Sequence, residues 1–279
     1  MSPIITPSLE NKGRTALITG ASAGIGQEMA RVFAAHGFDV VLVARRKERL
    51  ETLGREIETR FGVKAHVVTA DLADPAAPRR IYDEMTARAI KIDALVNNAG
   101  YGLSGFFEHN PWKKHADFLQ VMIASLSELC HLFAPDMARH GFGRIINVAS
   151  LAGHLPGVAG GTLYAASKSF VIKFSESLSH EYEGRNVYVT ALCPGFTYSE
   201  FHDVSGSRAA VSEFPSFMWM SAEQVAREAY AAVMTGKPVI INGVVNKFIA
   251  LLVRFLPYPL ARGLLKQNNR NATPKTENS

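Results

Sequence analysis

Cysteine is scarce: the 279-residue chain holds only Cys130 and Cys193. Two thiols so placed build no disulfide framework, and no cysteine or histidine spacing suits a metal, so no metal site is expected. Both are read as reduced and structural, with Cys193, beside Pro194-Gly195, a candidate for a pocket wall. Charge is modest, at 20% of residues, and the formal net charge of +5 is scattered. A nucleic-acid partner needs a concentrated basic face, so that class is set aside. A mild positive balance does suit a phosphorylated small molecule. Met1 to Lys12 lacks the basic start and apolar run of a secretory signal, which makes a cytoplasmic location the expectation. No composition shift marks a domain boundary, and no internal repeat is present.

What is present begins with a glycine turn. Gly20, Ser22, Ala23, Gly24, Ile25 and Gly26 follow the strand-like run Thr15–Thr19 and open into the helix-like run Gln27–Phe33. Glycines let the backbone turn tightly and approach a ligand. Free N–H groups at the helix N-terminus then favour a phosphate. Further runs of continuous apolar residues follow: Val40–Ala44, Lys64–Ala70, Ala94–Asn97, Arg144–Ala149, Val187–Cys193 and Val239–Asn242. Strands buried on both faces read this way, and helical stretches separate the first six. The alternation predicts a single α/β domain, a doubly wound parallel β-sheet with helices on both faces. Ligands of such sheets bind at the strand C-terminal ends. Gly20, Asp71, Asn98, Ser150 and Pro194 all fall there.

Four later stretches join the glycine turn: Asn97-Asn98-Ala99-Gly100, Ser150 after its strand, Tyr164-Ala165-Ala166-Ser167-Lys168, and Pro194-Gly195-Phe196-Thr197. In that order, each after a strand-like run, they resemble the short-chain dehydrogenase/reductase family over roughly Gly13 to Lys237. The resemblance implies a Rossmann-like fold and a nicotinamide-dependent oxidoreductase acting on a carbonyl or alcohol. It implies Ser150, Tyr164 and Lys168 as the catalytic residues, with Ser150 holding the substrate oxygen, and Tyr164 and Lys168 also as cofactor contacts, the lysine at the nicotinamide ribose. Tyr164 and Lys168, four apart, share a helix face. An ammonium beside the phenol is expected to draw the tyrosine pKa toward neutrality. Asp71 and Leu72 match the family's adenine contact, although Asp71 also reads as a plain helix cap. Asn98, Ala99 and Gly100 match the stretch beside the adenosine ribose. Pro194, Gly195 and Thr197 match the loop at the nicotinamide amide. The acidic residue that would hold a ribose 2′-hydroxyl is absent; Arg45 and Arg46 stand there, which suits the 2′-phosphate of NADP(H). The family likeness further implies a homodimer or homotetramer.

One departure from the family is Met122, where an asparagine that holds a relay water is common. Ser125 or a backbone carbonyl is a candidate substitute; slower turnover, or an NADP(H)-binding sensor without catalysis, are the alternatives. The expected substrate loop, 196–220, offers Phe196, Phe201, Phe214, Phe217 and Trp219, either as an apolar pocket for a lipophilic carbonyl or alcohol or as packing for a small subdomain. Residues 244–266 form an apolar, basic segment: the run Val244 to Leu256 is too short and interrupted to cross a bilayer, and Tyr258, Arg262 and Lys266 continue its pattern. Peripheral membrane contact, an oligomer contact and core packing are all open for it. The ends, 1–12 and 267–279, read as tails, the latter polar and disordered.

Overall fold

The apolar runs pair side by side into a seven-stranded parallel sheet of order β3-β2-β1-β4-β5-β6-β9 in a computed structural model that describes residues 9–103, 105–201 and 215–266. The strands are β1 (Thr15–Thr19), β2 (Asp39–Ala44), β3 (Ala65–Thr69), β4 (Ala94–Asn97), β5 (Gly143–Val148), β6 (Val187–Cys193) and β9 (Val239–Ile241). Each lies within one residue of the run expected from sequence. The order reverses at β1: β2 pairs on one side, β4 on the other. That reversal opens a crevice at the strand C-terminal ends. Gly20 and Asn98 follow β1 and β4 directly and form its walls.

Alternation along the strands divides the core into two layers. Leu17, Val41, Leu95 and Ile145 face α3 (Ala77–Ala87), α5 (Ser125–Arg139) and α6 (Thr162–Glu181). Ile18, Leu42, Val96 and Ile146 face α1 (Gly24–Ala35), α2 (Lys47–Phe61) and α7 (Ala222–Met234). Helices thus cover both faces, as expected. Gly62, at φ +67°, ends α2, and the Ser221 hydroxyl caps α7 by accepting from the Gln224 N–H at 3.1 Å. Trp112–Arg139 is one helical stretch long and apolar enough to cross a membrane, but half of its apolar window is buried in the fold. It comprises α4 (Trp112–Leu119), a π turn at Gln120–Ala124, and α5, whose Leu129, Phe133 and Met137 pack on the sheet.

A second, two-stranded parallel sheet was not foreseen. β7 (Phe196–Tyr198) pairs with β8 (Trp219–Ser221), and Phe196 and Tyr198 stack on Trp219 with ring centroids 5.4 and 4.9 Å apart. These aromatics therefore wall the small sheet. Phe214, residues 1–8 and the 267–279 tail lie outside the described residues. The chain continues into α8 (Val244–Phe255) and α9 (Tyr258–Lys266).

Candidate active site

The glycine turn is built by close approach. Gly20 and Gly24 have φ of +66° and +56°, a region costly for other residues. A Cβ on Gly26 would meet the Gly20 carbonyl oxygen and Asn98 Nδ2 at 2.4 Å each. Ala23 caps α1 without a side-chain hydrogen bond, so the cap residue leaves the N–H groups at the helix start to other partners. Across the crevice, Asn98 Nδ2 donates to the Thr19 and Gly20 carbonyls at 2.9 and 3.3 Å. The Asn98 and Ala99 N–H groups both donate to Thr19 Oγ1 at 3.0 Å. Gly26→Ala is expected to destabilise the protein by about 1–3 kcal/mol, because the new methyl meets the Gly20 backbone and the Asn98 amide that is hydrogen-bonded to it. Urea unfolding checks this; an unchanged midpoint would refute it.

Three arginines stand at the end of β2. Arg46 Nε and Nη2 donate to Ser22 Oγ at 3.2 and 3.0 Å, tying the arginine to the glycine turn. Arg46 and Arg49 both grip Glu200, at 2.9 and 2.7 Å. These two hydrogen bonds hold the Glu200 carboxyl below its ordinary range. Arg45 lies 3.8 Å from Asp71, whose other oxygen accepts the Ala73 N–H at 3.0 Å. The helix-cap reading of Asp71 is corrected here: this bond closes a turn two residues long, and α3 starts only at Ala77, with Ala76 at its N-cap. Glu200 belongs to a short segment laid across the crevice. Ser199 Cβ sits 3.0 Å from where a Cβ on Gly24 would stand, and the Phe201 ring lies 5.8 Å from that of Tyr164.

Ser150, Tyr164 and Lys168 converge at the ends of β5 and α6. Ser150 Oγ accepts the Ala152 N–H at 3.2 Å and hydrogen-bonds Tyr164. The turn after it, Leu151–His154, presses on α6: a Cβ on Gly153 would lie 2.9 Å from the Lys168 carbonyl oxygen. Lys168 is buried and donates to the Val148 carbonyl at 2.7 Å. Burial lowers its pKa to about 8. The expected depression of the tyrosine pKa is corrected here. The ammonium is 5.8 Å from the Tyr164 ring, and burial pushes the phenol upward, only partly offset by Ser150.

Met122 sits in the π turn, 2% exposed, its sulfur 2.9 Å from where a Cβ on Gly100 would be. Ser125 does not take over there. Its hydroxyl donates to the Leu72 carbonyl at 2.8 Å and accepts from Gln120 at 3.1 Å. Thr197 is buried and donates to the Gly195 carbonyl at 3.1 Å; Pro194 accepts the Leu151 N–H at 2.9 Å. Cys193 is fully buried, not a pocket wall, and burial pushes both thiols up to about 12.

Several residues around the site escaped the sequence reading. Asn97 donates to Asn147 at 2.9 Å, and Asn147 to Ser175 at 3.0 Å, a buried polar chain from β4 through β5 to the helix carrying Tyr164 and Lys168. Asn246 packs against Gly195, where a Cβ would lie 2.4 Å from its Nδ2. Arg49 and Glu200 carry no local motif. Two adjacent strand-end asparagines, Asn97 and Asn147, were a visible signal, since buried polar groups need partners.

This crevice, with its glycine cradle and its serine, tyrosine and lysine, defines a nucleotide-binding oxidoreductase fold, and the chain belongs to the short chain dehydrogenase family, which it matches over residues 14–209. It is 35% identical over 243 residues to "Nodulation protein G" of Rhizobium sp. (strain N33), covering 84% of this chain and 97% of that protein. It is 31% identical to the very-long-chain 3-oxoacyl-CoA reductase of Anas platyrhynchos, covering 92% of this chain and 80% of that one. A solved short-chain dehydrogenase from Sphingobium yanoikuyae, in complex with NADPH, superposes with a TM-score of 0.76 at 29% identity, covering 95% of this chain and 98% of that one.

Proposed function

We propose that this chain is an NADP(H)-dependent oxidoreductase that interconverts a carbonyl and an alcohol on a small organic substrate, with Tyr164 as the acid and base. The observation that carries this is the convergence of Ser150, Tyr164 and Lys168 beside the glycine cradle on one sheet edge. The residues suit the cofactor. Gly20 and Ser22 to Gly26 leave backbone N–H groups for the pyrophosphate. Arg45 and Arg46, with Ser22 between cradle and guanidinium, suit a 2′-phosphate. Asp71 and Leu72, Asn98 to Gly100, and Pro194, Gly195 and Thr197 would line the adenine, ribose and nicotinamide positions in turn.

When bound, NADPH supplies a hydride. Ser150 donates a hydrogen bond to the substrate oxygen, and Tyr164 Oη delivers the proton that completes the alcohol. A phenol held protonated by burial is suited to that acid step. Oxidation returns the proton to the same oxygen. Lys168, through its hold on the Val148 carbonyl, fixes β5 to α6 and keeps Ser150 facing Tyr164. In this reading 13–243 is the catalytic domain, with 196–220 as its substrate loop. The enzyme is cytoplasmic, assembles as a homodimer or homotetramer, and takes an apolar substrate; 244–266 makes peripheral contact with a membrane.

Met122 bears on the rate. A thioether offers no N–H or O–H to order a relay water, and Ser125 is engaged elsewhere. Met122→Asn is expected to raise turnover where chemistry limits it, read from pH–rate profiles of both forms. Unchanged rates at every pH would refute the relay argument. Tight NADPH binding without turnover of any aldehyde or ketone by either form would favour the sensor.

A further inference from the structure

The helical wheel of α8 is inverted relative to a core helix. The side it turns to the protein is narrow and holds Asn246 and Ala250. The opposite side carries Val244, Phe248, Leu251, Leu252 and Phe255, with Val244 81%, Phe248 64% and Phe255 76% exposed. Positions 244, 248, 251 and 255 recur at helical spacing, so they form one continuous stripe. Tyr258 and Leu260, in the first turn of α9, are exposed as well. A soluble surface scatters such residues singly; a contiguous stripe marks a contact.

The charges choose the partner. Residues 244–266 contain no aspartate or glutamate and four basic residues, Lys247, Arg254, Arg262 and Lys266. Lys247 and Arg254 lie along one flank of the stripe, seven residues apart. Among the described residues no carboxylate pairs with Lys247, Arg254 or Arg262. An apolar stripe edged by cations fits a surface that is apolar inside and anionic at its boundary. Long basic side chains can lay their stems on the apolar layer and reach the head groups. We propose that the outer face of α8 docks on an anionic lipid bilayer.

The inner side of the same helix touches the site. Asn246 packs on Gly195, and α8 lies against the Leu151–His154 turn that follows Ser150. Docking there sets the rim of the crevice at the membrane surface and gives a lipophilic carbonyl a short route from bilayer to Tyr164. Only that route rests on the redox reading; the docking does not.

Full-length protein is sedimented with vesicles of mixed phosphatidylcholine and phosphatidylserine, and with vesicles of phosphatidylcholine alone. Wild type is expected to pellet with the mixed vesicles, less so as salt rises, and to remain largely in the supernatant with the neutral ones. Lys247→Gln with Arg254→Gln should weaken partition to the mixed vesicles about thirtyfold. Phe248→Ser with Phe255→Ser should remove it. Both double variants should keep wild-type NADPH affinity and far-ultraviolet circular dichroism, since neither pair faces the protein. Wild type that stays in the supernatant with both vesicles overturns the proposal, as does vesicle binding insensitive to salt, an outcome that needs no variant to fold. An oligomer that dissociates in the phenylalanine variant would assign the face to a second copy and overturn it too. If wild type docks but reduces no carbonyl with NADPH, the docking stands and the enzymatic reading falls.

Discussion

Tyr164→Phe is expected to lower turnover by about 10²–10⁴-fold, the usual contribution of a positioned general acid, while leaving NADPH affinity nearly unchanged. The change removes one oxygen. Ser150 loses a partner, but its oxygen still accepts the Ala152 N–H, so its turn stays in place. Lys168→Ala should differ in kind. It removes a buried ammonium and its bond to Val148, so both binding and turnover should fall. Steady-state rates with a ketone panel, together with NADPH titration by fluorescence, separate the two. Substantial turnover in Tyr164→Phe would mean that another group delivers the proton.

The second large effect concerns the cofactor. NADPH should bind well ahead of NADH, and Arg46→Ala should remove about 1.5–3 kcal/mol of that preference, roughly ten- to a hundredfold in affinity. Arg45→Ala should act in the same direction. Arg46 already spans Ser22 and Glu200. A 2′-phosphate brought to this fork would compete with the Glu200 carboxylate for Arg46 and Arg49. Glu200→Gln should therefore tighten NADPH binding and leave NADH binding unchanged. Arg49→Ala should weaken NADPH alone. Equal affinities of wild type for the two cofactors would refute the assignment of the fork. An unchanged NADPH affinity in Glu200→Gln would show that its carboxylate does not compete.

The fold was legible because a parallel sheet covered on both faces demands continuous apolar strands, which appear as runs such as Ala94–Asn97 and Val187–Cys193. The family was legible because the glycine turn, Ser150 and the Tyr164/Lys168 pair are local spacings that survive without tertiary information. Other features depend on parts of the chain far apart in sequence. Glu200 reaches Arg46 and Arg49 across 154 and 151 residues, which no local pattern announces. The direction of the Tyr164 shift turned on where Lys168 Nζ lies and on burial, and spacing alone predicted the opposite sign. The two-stranded sheet pairs β7 with β8 across the substrate segment, although each strand is too short to declare itself. The same limit applies to α8. Periodicity establishes that a helix has an apolar stripe, but an inward and an outward stripe have the same period. Only the tertiary structure shows that Asn246 and Ala250 face the protein while Phe248 and Phe255 face away from it, because the neighbours that bury a side chain come from elsewhere in the chain.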